Sequence, residues 1–271
     1  MKAVFDRAGV RASLAWLAIL VLVAAFADLV GPVPGGNGGG GGVLRELVHA
    51  TQAVVGLTGS VLVVALGFGL LLGVVAGAGP RIADFLLTRC VEFSGLWPTV
   101  VLFALVRAAE PAPSAQSFVA VVGAVQAVRI ARLVRGEVLC LQGRPFVIAA
   151  GALGASPARV LVRHILPHAA GPVLVSSAFM AAAVVSLDAA LGLVGLMPAA
   201  EMASWGTLLA KASAGAPPGA WLPAASCVVL TTGALYRVAT ALDESLDPRR
   251  VRAAQARIAH RRAARPAENQ R

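Results

Sequence analysis

The chain of 271 residues is 58% hydrophobic and only 13% charged, and its mean hydropathy is +0.80. Soluble domains carry about 25% charged residues, so this composition excludes an ordinary soluble domain and indicates a protein that crosses the membrane several times. The formal net charge of +10 does not indicate nucleic-acid binding, because the basic residues lie in loops and tails between apolar segments, where membrane topology explains them.

Six apolar segments predict an all-α membrane protein with about six transmembrane helices. Because about 20 apolar residues are needed to span a bilayer, the third and fourth segments are short, and a re-entrant hairpin is an alternative to two crossings there. Either arrangement gives an even number of crossings, so both termini lie on one side. The predicted spans are Leu14–Val33, Val54–Ala78, Phe93–Val106, Ser114–Val128, Gly171–Leu196 and Gly219–Tyr236.

The basic residues predict which side carries the termini. Of the 23 Lys and Arg residues, all but Arg45, Arg107 and Lys211 fall in the two tails and in the loops after spans two and four. Loops rich in Lys and Arg remain in the cytoplasm. We therefore expect both termini to be cytoplasmic.

Composition also divides the chain into three regions. Residues 1–49 comprise the N-terminal tail, the first span and an external linker, Gly35–Gly42, whose glycines predict flexibility. Residues 50–248 form the transmembrane domain, and residues 249–271 form a basic cytoplasmic tail.

No pattern in the sequence predicts catalysis or a bound cofactor. There is no Walker motif, nucleophile elbow or pair of catalytic carboxylates, and the three cysteines show no metal-ligand spacing. His164 and His168 are four residues apart, but Pro167 between them disturbs the helix on which they would share a metal. We expect no catalytic residue, no metal site and no cofactor in this chain.

The segment from Phe146 to Pro167 is apolar but too short to cross a bilayer, and it lies in the most basic internal loop. In a helix, Phe146, Ala149, Ala150 and Leu153 occupy positions i, i+3, i+4 and i+7, which share one face. An exposed apolar face of this kind indicates a partner. The alternative is a helix packed against the protein's own membrane domain.

The second half of this segment predicts a sharp turn and another helix. Gly154 permits the turn, and Ser156 caps the second helix with a proline in its first turn. That helix carries Arg159 and Arg163 and is expected to be interrupted at Pro167. Two short helices joined by a tight turn and connected directly to a membrane span could transmit a displacement from a cytoplasmic partner into the membrane.

These residues resemble the permease subunits of binding-protein-dependent ABC importers, in particular the dipeptide/oligopeptide branch, which also includes nickel permeases. The family motif is Glu-Ala-Ala, three residues, Gly, about nine residues and Ile-x-Leu-Pro. The resemblance covers about residues 50–249. The matching motifs are Ala149-Ala150 with Gly154, His164-Ile165-Leu166-Pro167, Asp188-Ala-Ala-Leu191, Val194-Gly195-Leu196, Ser204-Trp205-Gly206 and Leu246-Asp247-Pro248-Arg249.

The resemblance implies a type I importer permease (MetI-like) fold with a cytoplasmic coupling helix, in the bacterial inner membrane. It also implies a second, homologous permease subunit, two cytoplasmic ATP-binding subunits that hold the ATP, and an extracytoplasmic solute-binding protein. Di- or oligopeptides are the implied substrates. Nickel or another small solute, or a degenerate protein that does not transport, are the alternatives.

The chain departs from the family pattern at two positions in the loop. Ile148 occupies the place of the glutamate, and His168 replaces the asparagine that commonly follows Leu-Pro in this branch. The ATPase-coupling residues implied by the resemblance are Phe146, Ala149, Ala150, Leu153, Gly154, Arg159, Arg163 and Pro167.

Three residues of ionisable or aromatic type lie inside or beside the predicted spans. Asp188 lies well inside the fifth span, where a carboxylate must face the protein interior or a wet cavity. It is either a pathway residue or an anchor between helices. Trp205 is expected at the external mouth of the pathway. Arg129 begins a basic stripe at every third residue, which we interpret as snorkelling anchors, with contacts to the ATPase or to lipid phosphates as the alternative.

Overall fold

The computed structural model describes residues 8–30, 40–109, 114–197 and 204–246. Within these ranges the regular structure is helical, with a short 3₁₀ segment at Ala27–Val30 and a π-helical turn at Leu161–Ile165. The α-helices in these ranges are α1 (Ala8–Ala25), α2 (Gly40–Ala78), α3 (Arg81–Leu96), α4 (Thr99–Ala109), α5 (Ala115–Gln142), α6 (Pro145–Ala152), α7 (Pro157–Val160), α8 (Leu166–Leu193), α9 (Trp205–Ser213) and α10 (Pro218–Leu246).

Five of the described helical segments are long and apolar enough to cross a membrane, namely α1, α2, α5, the run from α7 through α8, and α10. Helices α3 and α4 meet the same criterion only together, and they are bent by 85° at the break between them. The predicted third span, Phe93–Val106, is therefore not a single helix: it is broken after Leu96, and its apolar helix begins earlier, at Arg81. Trp97 precedes Pro98 and adopts an extended conformation (φ −107°, ψ 122°), because the proline ring excludes the helical conformation at the preceding residue.

Several predicted spans are longer in the structure. The fourth continues from Ala115 to Gln142 as one uninterrupted helix that is long enough to cross a membrane, so the alternative of a re-entrant hairpin formed with this segment is wrong. Helix α2 begins at Gly40, so the last three glycines of the predicted linker are helical, while residues 35–39 lie outside the described ranges. With 39 residues, α2 is about 58 Å long, nearly twice the apolar thickness of a bilayer of about 30 Å.

Helices α2 and α5 run parallel and make the most extensive helix contact in the described part of the chain. Three glycines on α2, spaced four residues apart, face three buried branched residues on α5 with the same spacing. A Cβ atom added at any of these glycines would lie less than 3 Å from α5 side-chain atoms. Small residues at such spacing let two membrane helices approach closely. The glycines are Gly69, Gly73 and Gly77, and the residues opposite them are Ile130, Val134 and Val138.

The remaining helices complete a bundle around this pair. The largest buried apolar cluster joins α2, α5, the π-helical turn and α8. A second cluster, centred on Trp205, joins α9 to α1, α2, α8 and α10. The first cluster extends along α5 and α8 and reaches the base of α6 and α7 through Val160 and Ile165. Helix α6 lies beside the start of α8, whereas α9 and the second cluster lie beside its last turns. The two ends of the bundle are referred to below as the α6 end and the α9 end.

Candidate functional site

Helix α6 ends in a glycine turn, as the sequence predicts. Gly154 has a φ of +82°, a conformation in which an L side chain is strained. The amide of Gly154 donates to the carbonyl of Gly151 at 2.9 Å, and the amide of Ala155 donates to the carbonyl of Ala150 at 3.1 Å. These two bonds define a Schellman motif. The direction in which the chain leaves α6 is therefore fixed by backbone hydrogen bonds.

The outer face of α6 is apolar and uncovered in this chain. Leu153 is 89% exposed, Ile148 is 62% exposed, and Ala149 is exposed between them. Ala150, which the sequence assigns to the same face, is half-buried and packs with Val147 against the main core. The helix is therefore held to the membrane domain on one side and presents its other side outwards. Ile148, in the family's glutamate position, lies on the outward side.

Phe146 attaches the start of α6 to the base of α8. Its ring stacks on the ring of His168, with centroids 5.1 Å apart and planes 26° apart. His168 Nδ1 lies 2.7 Å from the carbonyl oxygen of His164, which fixes the imidazole beside the helix. Phe146 remains 39% exposed, so it contributes both to this attachment and to the outer surface. The sequence marks His168 only as a departure from the family pattern, and nothing in it indicates this pairing.

The connection from α7 to α8 differs from the prediction, because Pro167 does not interrupt the helix. A π-helical turn at Leu161–Ile165 precedes the proline, and the amide of Leu166 donates to the carbonyl of Leu161. A proline has no amide hydrogen and its ring crowds the carbonyl four residues earlier. The wider π turn accommodates the ring, so α7 and α8 form one rod from Pro157 to Leu193.

Buried side chains hold the base of this rod, while its charged side chains point outwards. Val160 and Ile165 are buried in the main core. Arg159 and Arg163 are exposed, as is Arg144 in front of α6. The outward surface thus has an apolar centre on α6 and three guanidinium groups around it. We refer to this combination as the coupling surface.

A second polar arrangement lies at the α9 end and involves Asp188. This residue is 2% exposed, and its Oδ2 accepts a hydrogen bond of 3.0 Å from the amide of Gly206. Helix α9 begins beside it with a reciprocal capping box: Ser204 N donates to Thr207 Oγ1 at 2.8 Å, and Thr207 N donates to Ser204 Oγ at 3.2 Å. Asp188 therefore satisfies one of the free amides at the start of α9.

Trp205 is also buried, with 1% of its surface exposed. Its Nε1 donates to Thr51 Oγ1 at 3.2 Å, and Thr51 Oγ1 donates to the Leu47 carbonyl at 2.8 Å. Together with Asp188, Trp205 ties α9 to α8 and α2. Both residues are enclosed within the chain in this structure, which favours the interpretation of Asp188 as an anchor between helices.

Replacing Asp188 by asparagine is expected to leave the amount of protein in the membrane within about twofold of the wild type, since the amide oxygen still accepts from Gly206. Asp188→Leu removes the acceptor, and the loss of a buried hydrogen bond of this kind costs about 1.5–3 kcal/mol. We expect the Leu variant to accumulate poorly, as measured by immunoblotting of membranes. Full accumulation of both variants combined with loss of transport would instead indicate a pathway residue.

Comparison with known proteins assigns the chain to a family. Residues 69–252 match the family described as "binding-protein-dependent transport system inner membrane component". The dipeptide transport system permease protein DppC of Alkalihalophilus pseudofirmus is 30% identical over 188 residues, which are 68% of this chain and 61% of that protein. A putative peptide permease protein of Brucella ovis is 30% identical over 221 residues, covering 78% and 72% of the two chains.

A putative peptide transport system permease protein of Brucella suis is 32% identical over 197 residues, covering 72% of this chain and 65% of the relative. The chain thus spans less than two thirds of the length of some of these relatives. The predicted fold class, an all-α membrane protein of the MetI-like permease type, is confirmed by the family match and by the apolar helices. The chain belongs to the family of inner membrane components of binding-protein-dependent transport systems.

Proposed function

We propose that this protein is a permease subunit of an ABC importer for di- or oligopeptides. The observation that carries the proposal is the coupling surface, an exposed apolar helix built onto the base of a membrane-spanning rod. The family match and the relatives named as dipeptide or peptide permeases support the transport role and the substrate class. The described residues contain no ATP-binding motif, so ATP hydrolysis belongs to partner subunits in this proposal.

The contacts around α6 supply a mechanical route for coupling. A displacement of α6 acts on α8 through the Phe146–His168 stack and through the short turn at Gly154. Because α7, the π turn and α8 form one continuous rod, a movement at its base becomes a tilt of the whole span. Closure of two ATP-binding subunits against the coupling surfaces of two permeases would therefore alternate the access of the pathway between the two sides.

The proposal includes the remaining partners and the orientation in the membrane. A second permease subunit completes the pathway, and an extracytoplasmic binding protein delivers the substrate. The coupling surface and both termini are cytoplasmic. Two contacts support the placement of the start of α1, the start of α8 and the end of α10 on the same side of the membrane. The side chain of Leu246, at the end of α10, lies beside Gly171 near the start of α8. Arg237 of α10 lies beside Gly9 at the start of α1.

Deletion of the gene tests this function directly. Uptake of radiolabelled tri-alanine is expected to fall at least about tenfold in the deletion strain and to recover when the gene is supplied on a plasmid. Uptake of ⁶³Ni²⁺, measured in the same strains, is expected to be unchanged. Loss of nickel uptake with normal peptide uptake would contradict the peptide assignment, and normal uptake of both would contradict transport of either.

A further inference from the structure

Three adjoining cavities form a groove between α5 and α8. Their volumes are about 720, 370 and 120 Å³, and all three are lined by Arg129. Cavities of 300 to 1,000 Å³ are typical of small-molecule sites. The polar or charged residues that line the groove include Gln126, Arg129, Arg132, Ser176, Tyr236 and Asp243.

The groove runs through most of the membrane-spanning length of α8. The residues of α8 that line it extend from Pro172 to Leu187. At 1.5 Å per residue this stretch is about 22 Å long, compared with about 30 Å for the apolar thickness of a bilayer. The groove therefore places polar and charged side chains at membrane depth rather than at the membrane surface.

The two arginines in the groove have no carboxylate partner among the described residues. Arg129 is exposed and donates to Gln126 Oε1 at 3.0 Å, and no ion pair in the described ranges involves it or Arg132. Arg135, one turn further along α5, is instead paired with Asp84 of α3. An arginine within a span costs several kcal/mol unless it faces water or an opposite charge. The groove therefore requires water and favours an anion.

The break between α3 and α4 adds a further attraction for an anion at the same place. Thr99, the first residue of α4, lines the smallest cavity together with Gln126 and Arg129. The first amides of a helix have no partner within the helix, and the helix dipole makes this end positive. Broken membrane helices commonly present such ends to anionic groups. Asp243 lines only the largest of these three cavities, so the groove, with two arginines and one aspartate, retains a net positive lining.

We propose that this groove is the surface along which a peptide passes, and that Arg129 and Arg132 hold its free α-carboxylate. The inference rests on the proposed function. A guanidinium group binds a carboxylate through two parallel hydrogen bonds. Because every linear peptide carries an α-carboxylate, this contact is independent of the peptide's side chains. A lipid phosphate offers the same anionic chemistry, but it lies at the membrane surface, whereas the groove lies at membrane depth.

Uptake of two peptides by the complete transporter in cells tests the assignment. The probes are radiolabelled tri-alanine and tri-alanine amide, and the variants are Arg129→Gln and Arg129→Lys. Each variant is compared with the wild type for each peptide separately, so that any preference of the binding protein cancels. Arg81→Gln, at an exposed arginine outside the groove, is the matched control and is expected to transport both peptides normally.

We expect Arg129→Gln to lower uptake of tri-alanine by about tenfold or more and uptake of the amide by less than about twofold, because only the first peptide loses a charge-assisted contact. Uptake of tri-alanine by the Lys variant, which keeps the charge, is expected to lie between that of the wild type and that of Arg129→Gln. If Arg129→Gln does not accumulate in membranes, Arg132→Gln is measured in its place with the same expectation.

Three results would overturn the assignment. Equal loss of both peptides would indicate a structural role, and normal uptake of both would show that the guanidinium is not used. In proteoliposomes, a defect that appears only with anionic lipid would assign the arginines to a lipid phosphate. If the wild type transports neither peptide, the proposed function itself is contradicted. This outcome is distinguishable from the other three, because they concern differences between the variants and a wild type that transports.

Discussion

Replacing Gly206 by alanine is expected to remove most of the protein from the membrane. A Cβ atom at this position would lie 2.2 Å from the carbonyl oxygen of Asp188, and a Cβ atom at Gly192 would lie 2.1 Å from the carbonyl carbon of Gly206. The neighbouring atoms on both sides belong to the backbone, so no side chain can move aside. Overpacking of a tight contact costs about 1–3 kcal/mol and sometimes more, and here it separates α9 from α8.

The measurement is the amount of protein that remains folded in detergent, determined by fluorescence-detected size-exclusion chromatography. We expect Gly206→Ala and Gly192→Ala to lose at least about nine tenths of the monodisperse peak. Gly67→Ala is the matched control, because a Cβ atom at Gly67 meets no atom within 4 Å. Alanine is favoured over glycine in a helix, so the control is expected to match or exceed the wild type. Normal recovery of Gly206→Ala would show that α9 is not packed as described.

The sequence predicts those parts of the fold that depend on local signals. Gly154 marks the end of α6, because a left-handed residue is needed there and glycine adopts that conformation without strain. The apolar segments predict the spans, although not their full lengths, because helices such as α5 continue beyond the apolar part of the sequence that marks them. The break in the third span also has a local signal, because Trp97 precedes Pro98 and the residue before a proline disfavours the helical conformation.

Other features depend on residues that are far apart in the sequence, and no local pattern indicates them. Phe146 contacts His168 only because α6 lies against the start of α8. Trp205 donates to Thr51, which lies on a helix 154 residues earlier in the sequence. The continuity of the helix through Pro167 also depends on tertiary packing, since Val160 and Ile165 are buried in the main core and hold the π turn in place.

The interpretation of Arg129 changes for a similar reason. In the sequence this residue follows the last apolar residue of the predicted fourth span, a position typical of a snorkelling anchor. In the structure α5 continues for thirteen residues beyond it to Gln142, and α8 covers the same level with the middle of its own span. The cavity beside Arg129 arises from the packing of three helices, which composition and periodicity do not predict.

Leu153→Asp is expected to abolish copurification of the ATP-binding subunits that the proposed function requires, while leaving the protein in the membrane at its normal level. Leu153 is 89% exposed, so the change removes no contact within this chain. Full burial of a leucine side chain contributes about 1.5–3 kcal/mol, and an aspartate in its place adds the cost of an unpaired charge in an apolar interface. Together these effects reduce the affinity by about 100-fold or more.

Leu44→Asp provides the matched control for this experiment. Leu44 is also an exposed leucine, but it lies near the start of α2 at the opposite end of the bundle from α6. An acidic residue near a helix N-terminus is compatible with the helix dipole, so this variant is expected to retain the partner subunits. If Leu153→Asp also retains them, the apolar face of α6 is not the docking site.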